Sequence, residues 1–146
     1  MSKSNQRKPF KTDEEIAALV RAFESREIHP AEFKHYQHLT VALWYVSVLP
    51  DDEASEKMKN GIRRLAASHG KTGYHETITV FWLKLVRDFL ANSRRENSIA
   101  VLANQLIEKY ADKNFIFDYY SAELLASPEA KGEWVEPDLR PLDFGC

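Results

Sequence analysis

The chain has 146 residues, of which 44% are hydrophobic and 29% charged, a composition typical of one globular domain with a real core. Its 20 basic and 22 acidic side chains leave a formal net charge of -2, which argues against nucleic acid or an anionic membrane as a partner. The longest nearly uncharged run, residues 39–50, is too short for a bilayer span, which needs about 20 residues.

The start of the chain and its cysteine usage predict a cytoplasmic protein. Residues 1–12 have a basic start but no apolar run, so no signal peptide is expected there. Cys146 is the single cysteine, which precludes an intrachain disulfide and fits a reducing compartment. We predict a flexible lead-in at residues 1–11 and a single all-helical domain at residues 12–146.

The first two predicted helices carry clear start signals. Thr12 and Glu15 form a capping box, and apolar residues then recur at helical spacing to about Glu27. The second helix has Pro30 in its first turn and ends at about Leu49, where a proline follows. Two histidines continue its apolar face, which consists of His35, His38, Leu39, Ala42, Val46 and Leu49.

The third and fourth helices are also amphipathic. The third takes its cap and first-turn acids from residues 51–53 and ends before Gly70, which fits a C′ position. The fourth begins near Thr72 or Gly73 and runs to about Ala91. The inward face of the third helix is Ala54, Met58, Ile62, Leu65, Ala66 and His69. The inward face of the fourth is His75, Ile78, Thr79, Trp82, Val86 and Phe89.

A polar connection at residues 92–97 separates these helices from two more. The fifth helix carries apolar residues on one face over 99–110. After a polar break, the sixth helix does the same over 115–125.

The remaining residues form a short helix and a tail. Ser127 and Pro128 fit an N-cap followed by proline at N1, and Gly132 ends this helix. The tail from Trp134 is irregular, but its apolar residues predict that it packs across the bundle. Few glycines and no Asn-Gly or Asp-Gly pair argue against a sheet. We therefore predict an all-α fold, a compact single-domain bundle of five or six helices.

Polar residues of the second and fourth helices predict a pocket where these helices meet. We expect His75, near the start of the fourth helix, to be a neutral base or a ligand contact, because a helix N-terminus disfavours imidazolium. His38 would be its partner across the pocket, and Glu76 would orient an imidazole. Tyr74 or Tyr120 would donate to an oxyanion. The sequence thus predicts a small-molecule-binding protein that acts as an enzyme by acid–base or metal-assisted chemistry, with its reaction class open.

A metal-binding version of this pocket is a second reading of the same residues. His35 and His38 are three residues apart and lie on one helix face, so both could bind one ion. His75 and Glu76 would complete a set suited to a divalent transition metal such as zinc, iron, manganese or copper. Against it, the sequence has no HExxH motif, since Thr79 occupies the position of the second histidine.

Each of these residues also has a structural reading. Glu76 fits the N3 position of a cap, His75 fits a core histidine bonded to a backbone carbonyl, and His35 fits a helix margin in water. If all three readings hold, the chain is a non-enzymatic helical binding or assembly module, for which a homodimer through exposed aromatics is one form. Substitution of two histidines by alanine would separate the alternatives.

Several short motifs carry a resemblance to known sequences. They are Phe33-x-His35-x-x-His38-Leu39-x-x-Ala42, Tyr74-His75-Glu76-Thr77-x-Thr79, Tyr120-Ser121 with Ser127, and Pro137-Asp138-Leu139-x-Pro141-Leu142. Together they resemble an uncharacterised family of small bacterial all-helical proteins. The resemblance covers about residues 28–142 and implies a complete helical unit whose C-terminal tail closes over the pocket. It implies no activity, cofactor or substrate.

Overall fold

The computed structural model describes residues 9–29, 32–67, 74–94 and 96–144. Within those ranges it contains helices and no strand, so the predicted all-α fold is confirmed. None of the described helices is both long and apolar enough to cross a membrane. The helices are α1 (Asp13–Ser25), α2 (His35–Val48), α3 (Asp51–Ala67), α4 (Glu76–Ala91), α5 (Ile99–Lys109), a 3₁₀ helix (Lys113–Asp118), α6 (Ala122–Leu125) and α7 (Pro128–Gly132).

The local cap signals at the two ends of the chain are confirmed. The Thr12 hydroxyl accepts from the N–H of Glu15, and the Glu15 carboxylate accepts from the Thr12 N–H, as a capping box requires. Arg26, at φ 63°, ends α1 in the left-handed region. The Ser127 hydroxyl caps α7, with Pro128 at its first position.

α2 is the central helix, and it begins later than predicted. The extended backbone of Lys34, at φ -83° and ψ 173°, delays the helix to His35, and Pro30 lies outside the described residues. The Lys34 N–H donates to Gln37 Oε1 at 2.7 Å, so the first turn is held by a local side chain. α2 contacts α1, α3, α4 and α5. Its buried residues surround the helix instead of forming one stripe.

α4 also begins later than predicted, at Glu76. His75 has an extended backbone, at φ -132° and ψ 111°, and acts as the N-cap. Its ring nitrogen Nδ1 accepts from the N–H of Ile78 at 3.1 Å. The predicted start at Thr72 or Gly73, and the predicted C′ residue Gly70, lie outside the described residues.

The predicted sixth helix is divided in two. The 3₁₀ helix and α6 are separated by residues 119–121, because a contact from a distant part of the chain caps a new helix there. Asp138 accepts from both the N–H and the hydroxyl of Ser121, at 2.8 and 2.6 Å. The Ser121 oxygen in turn accepts from the N–H of Leu124, which begins α6.

The irregular tail packs across the bundle, as the sequence predicted. The fully buried hydroxyl of Thr77 in α4 donates to the Glu133 carbonyl at 2.8 Å and accepts from the Val135 N–H at 3.2 Å. Farther along, the Phe144 ring meets the edge of Phe81 at a centroid distance of 5.4 Å. The tail therefore lies against α4 and α6, and leaves the opposite side of α4 to face α2.

Candidate functional site

A cavity of about 820 Å³ lies between α2, α3, α4 and the 3₁₀ helix. That volume is in the range of sites for drug-sized molecules, and the walls are mainly apolar. The predicted stretches of the second and fourth helices do meet here. The polar side chains among the lining residues are Lys34, His35, His38, Tyr74, His75, Thr79, Lys113 and Asn114.

The imidazole of His38 is available to a ligand. Its ring packs against Phe33 at a centroid distance of 4.3 Å, and among the described residues its ring nitrogens have no hydrogen-bond partner. Burial, and then the neighbouring charge of His35, lowers the pKa of His38 from 6.5 to about 4. His38 is therefore neutral at pH 7 and presents one donor and one acceptor.

His35 contributes a further acceptor to the same wall. Its Nε2 lies 2.9 Å from the Tyr110 carbonyl, which can only accept, so Nε2 carries the proton and Nδ1 has a lone pair. Its ring meets the edge of Trp82 at 4.7 Å. Burial lowers the pKa of His35 and outweighs the opposing effects of the Tyr110 carbonyl and the Asp112 carboxylate. Two neutral imidazoles thus stand side by side on α2.

His75 lines the cavity, but both of its ring nitrogens already make hydrogen bonds within the protein. Nδ1 accepts from the Ile78 N–H, and Nε2 donates to the Leu125 carbonyl at 2.7 Å. These two bonds fix the tautomer and join the start of α4 to the end of α6. The predicted base therefore has no free lone pair in this structure, and its geometry matches the structural reading of a histidine bonded to a backbone carbonyl.

Glu76 is not among the lining residues and belongs to an ion-pair cluster with α3. Lys59 Nζ lies 2.7 Å from Glu76 Oε2, and Arg63 lies 3.8 Å from Oε1. The Tyr74 hydroxyl donates to Oε1 at 2.6 Å, so this carboxylate orients a phenol instead of an imidazole. Burial alone would raise the pKa of Glu76, but the hydrogen bonds and charges of these three partners lower it.

Tyr74 is consequently a fixed part of the wall. Burial, followed by the bond to Glu76, raises the pKa of its hydroxyl, which keeps the phenol protonated. The guanidinium of Arg63 lies 4.3 Å from the centre of its ring. Tyr74 can offer a ligand its ring and an oxygen lone pair, while its O–H already donates a hydrogen bond to Glu76.

Tyr120 does not line the cavity, and the prediction that it would be a donor there does not match its position. It is fully buried, and its hydroxyl donates to the Val135 carbonyl at 2.6 Å. Its ring meets the edge of Trp134 at 6.2 Å. Burial, with the nearby charges of Glu136 and Asp138, raises the pKa of its hydroxyl. Tyr120 therefore anchors the tail.

The four predicted metal ligands, His35, His38, His75 and Glu76, are not gathered around one point. Within the described ranges, no three His, Cys, Asp or Glu side chains are grouped as a metal ion would need. The physical reason is competition from other partners. Glu76 is held by Lys59, and both nitrogens of His75 are used for backbone groups.

The sequence reasoning missed residues that form the rim and the neighbouring ion-pair cluster. Lys34 and Lys113 line the cavity beside His35, yet neither belongs to an apolar stripe. Lys59 and Arg63 are four residues apart on α3, so they share a face that could have been matched to the carboxylate of Glu76.

Comparison with known proteins identifies no relative. The chain matches no protein-family model, and the comparisons found no match among curated proteins or solved structures. The resemblance to an uncharacterised helical family thus stays a prediction, and the function has to be argued from the cavity itself.

Proposed function

We propose that the chain is a small-molecule-binding protein whose ligand occupies the cavity between α2 and α4. The observation that carries the proposal is His38, a neutral imidazole that lines the cavity with no protein partner for its ring nitrogens among the described residues. An imidazole that lines an apolar wall and is not bonded within the protein can donate to and accept from a bound molecule, which supports a ligand in this cavity.

The ligand expected from the walls has an apolar body and at least one hydrogen-bonding group. Buried apolar residues of α2, α3 and α4, among them Leu39, Met58 and Leu83, would contact the body. His38 can donate and accept, and Nδ1 of His35 can accept, so a hydroxyl or amide group suits this wall. The single cysteine, Cys146, suggests that the protein works in a reducing compartment.

An enzymatic role would rest on His38 rather than on His75. With a pKa of about 4, His38 is a weak base at pH 7, and it would act best on a substrate proton that is already acidic. The occupied nitrogens of His75 and the ion-paired Glu76 favour the second candidate, a binding module without chemistry. Binding is common to both candidates, and it can be tested first.

The test is a fragment screen by ligand-observed NMR on the wild type and on a variant with a filled cavity. Ile78 lines the cavity and is partly exposed, so Ile78→Trp projects a large ring into it. Val101, which is 42% exposed on α5 and outside the lining, provides the control Val101→Trp. We expect fragments that bind the wild type and the control and that fail to bind Ile78→Trp.

The same fragments should weaken or lose binding in His38→Leu if they use the imidazole. Turnover of any of them would then be followed in both proteins, and loss of turnover in His38→Leu would favour the enzyme. A hit rate that is no higher for the wild type than for Ile78→Trp contradicts the proposal.

A further inference from the structure

The charged side chains that line the cavity are all positive. Lys34 precedes α2, Lys113 begins the 3₁₀ helix, and both are exposed to solvent. No Asp or Glu belongs to the described lining, and neither lysine has a described carboxylate within ion-pairing distance. The nearby Asp112 carboxylate accepts from the Asn114 N–H at 2.9 Å and caps the 3₁₀ helix. The two lysines are therefore the charged groups of the described lining, and the Asp112 carboxylate, outside the lining, opposes the effect of Lys113 at His35.

The floor of the cavity has the opposite character. Its most buried residues are apolar, and they come from α2, α3, α4 and the 3₁₀ helix. The histidines between floor and rim are neutral, so they supply no counter-charge for an ion placed deep inside. These floor residues are Leu39, Ala42, Met58, Leu83 and Ile116.

We propose that the cavity binds an amphipathic organic anion, with its carboxylate at Lys34 and Lys113 and its apolar body against the floor. This inference rests on the proposed function, since it names the class of molecule that the same cavity takes. The arrangement separates two tasks: the floor removes apolar surface from water, and the rim leaves the carboxylate hydrated and paired. The first turn of α2 contains no acidic residue, so the helix dipole adds to the positive potential of the rim.

The test compares three probes that share one apolar chain and differ in charge: decanoate, decanol and decylammonium. Isothermal titration calorimetry on the full chain gives the affinity of each at low and at physiological salt. Decanoate is expected to bind about tenfold more tightly than decanol, and decylammonium more weakly than either, because each exposed ion pair supplies a factor of up to about five. The advantage of decanoate and the disadvantage of decylammonium should both shrink with salt, while the affinity for decanol should change little.

The double variant Lys34→Gln/Lys113→Gln should bind decanoate and decanol equally, with the affinity for decanol unchanged. Lys131→Gln is the matched control, because Lys131 is exposed on α7 and does not line the cavity. Decanol binding as tightly as decanoate would overturn the anion class and leave the binding cavity standing. If no probe binds and screening fragments still do, the anion class alone is wrong. If neither probes nor fragments bind, the proposed function fails as well.

Discussion

α2 and α4 both begin at the cavity wall with histidines near the first turn. The two helix starts differ in how many of their polar atoms are already hydrogen-bonded within the protein. At the start of α4, both nitrogens of His75 and both oxygens of Glu76 are used for contacts within the protein. At the start of α2, His38 has no hydrogen-bond partner among the described residues and His35 is bonded through one nitrogen. Both starts looked alike in sequence, since that of α2 places two histidines and that of α4 places one on an apolar face.

The difference shows that placement in a pocket does not make a polar residue available to a ligand. A residue whose polar atoms are all bonded within the protein stabilises the fold, and one with unbonded polar atoms stays available to a ligand. The start of α4 is therefore the structural side of the cavity, and the start of α2 is the side we assign to ligand. Each prediction below tests one side of this contrast.

The largest expected effect is on the structural side, in His75→Ala. The variant removes the N-cap bond to Ile78 and leaves the Leu125 carbonyl without its donor, so the free energy of unfolding should fall by about 3 kcal/mol. His75→Asp keeps an N-cap acceptor and should recover about half of the loss. Urea unfolding followed by circular dichroism at pH 7 measures both. A loss below about 1 kcal/mol in His75→Ala would remove the structural assignment.

The next largest effect is a pH dependence of folding stability that arises from His38, on the ligand side of the cavity. The unfolded chain protonates His38 near pH 6.5, whereas the folded chain does so only near pH 4, so the unfolded state binds more protons between these values. Stability therefore falls as pH drops through this window. The pKa difference corresponds to at most about 3–4 kcal/mol, and solvent in the cavity reduces it to about 2 kcal/mol.

The measurement for His38 is the unfolding free energy of wild type and His38→Gln at pH 7, 5.5 and 4. The variant should lose about 2 kcal/mol less than the wild type over this range. The lowered pKa of His35 acts in the same direction and remains in the variant, so a small slope should persist. Identical slopes in the two proteins would mean that His38 titrates normally and is not held neutral by the fold.

A smaller loss of stability is expected when the ion-pair cluster of Glu76, on the structural side of the cavity, is disrupted. Glu76→Gln leaves Lys59 without its carboxylate and should lower stability by about 1 kcal/mol at pH 7. Because the folded pKa of Glu76 lies below its usual 4.5, its contribution is present above pH 4.5 and is lost as pH falls through the folded pKa. The two proteins should therefore become equally stable in acid.

The control for this cluster is Glu96→Gln. Glu96 is 72% exposed and lies 3.5 Å from Arg94, so its pair should contribute nothing measurable. If Glu76→Gln also had no measurable effect, the cluster would be shown to behave as an ordinary surface ion pair.

Helix boundaries that depend on neighbouring residues could be predicted from the sequence. Boundaries that depend on contacts with distant residues could not. The capping box of Thr12 and the Ser127–Pro128 pair lie within one turn of the helices that they start, and both are confirmed. The division of the sixth helix depends on Asp138, which binds Ser121 from 17 residues away. No pattern within residues 115–125 records that contact.

The same distinction applies to the cavity. Helical phase predicted that His35 and His38 face inward, because phase is a property of neighbouring residues. Which nitrogens stay free depends on Tyr110 for His35 and on Leu125 for His75, 75 and 50 residues away. The predicted metal site and the predicted donor role of Tyr120 do not match the described geometry for this reason, because His75, Glu76 and Tyr120 each bond to another group.

The smallest expected change in stability is that of His38→Leu, and it best distinguishes the ligand side of the cavity from the structural side. His38→Leu removes no hydrogen bond within the described structure and replaces an imidazole by an apolar side chain in an apolar wall. Its free energy of unfolding at pH 7 should rise by about 0.5 kcal/mol, while the affinity for fragments that use the imidazole falls about fivefold. A gain in stability joined to a loss of binding is what a ligand-facing residue produces, and a core histidine cannot produce it. A loss of 1 kcal/mol or more would place His38 with His75 on the structural side, and the contrast between the two helix starts would no longer hold.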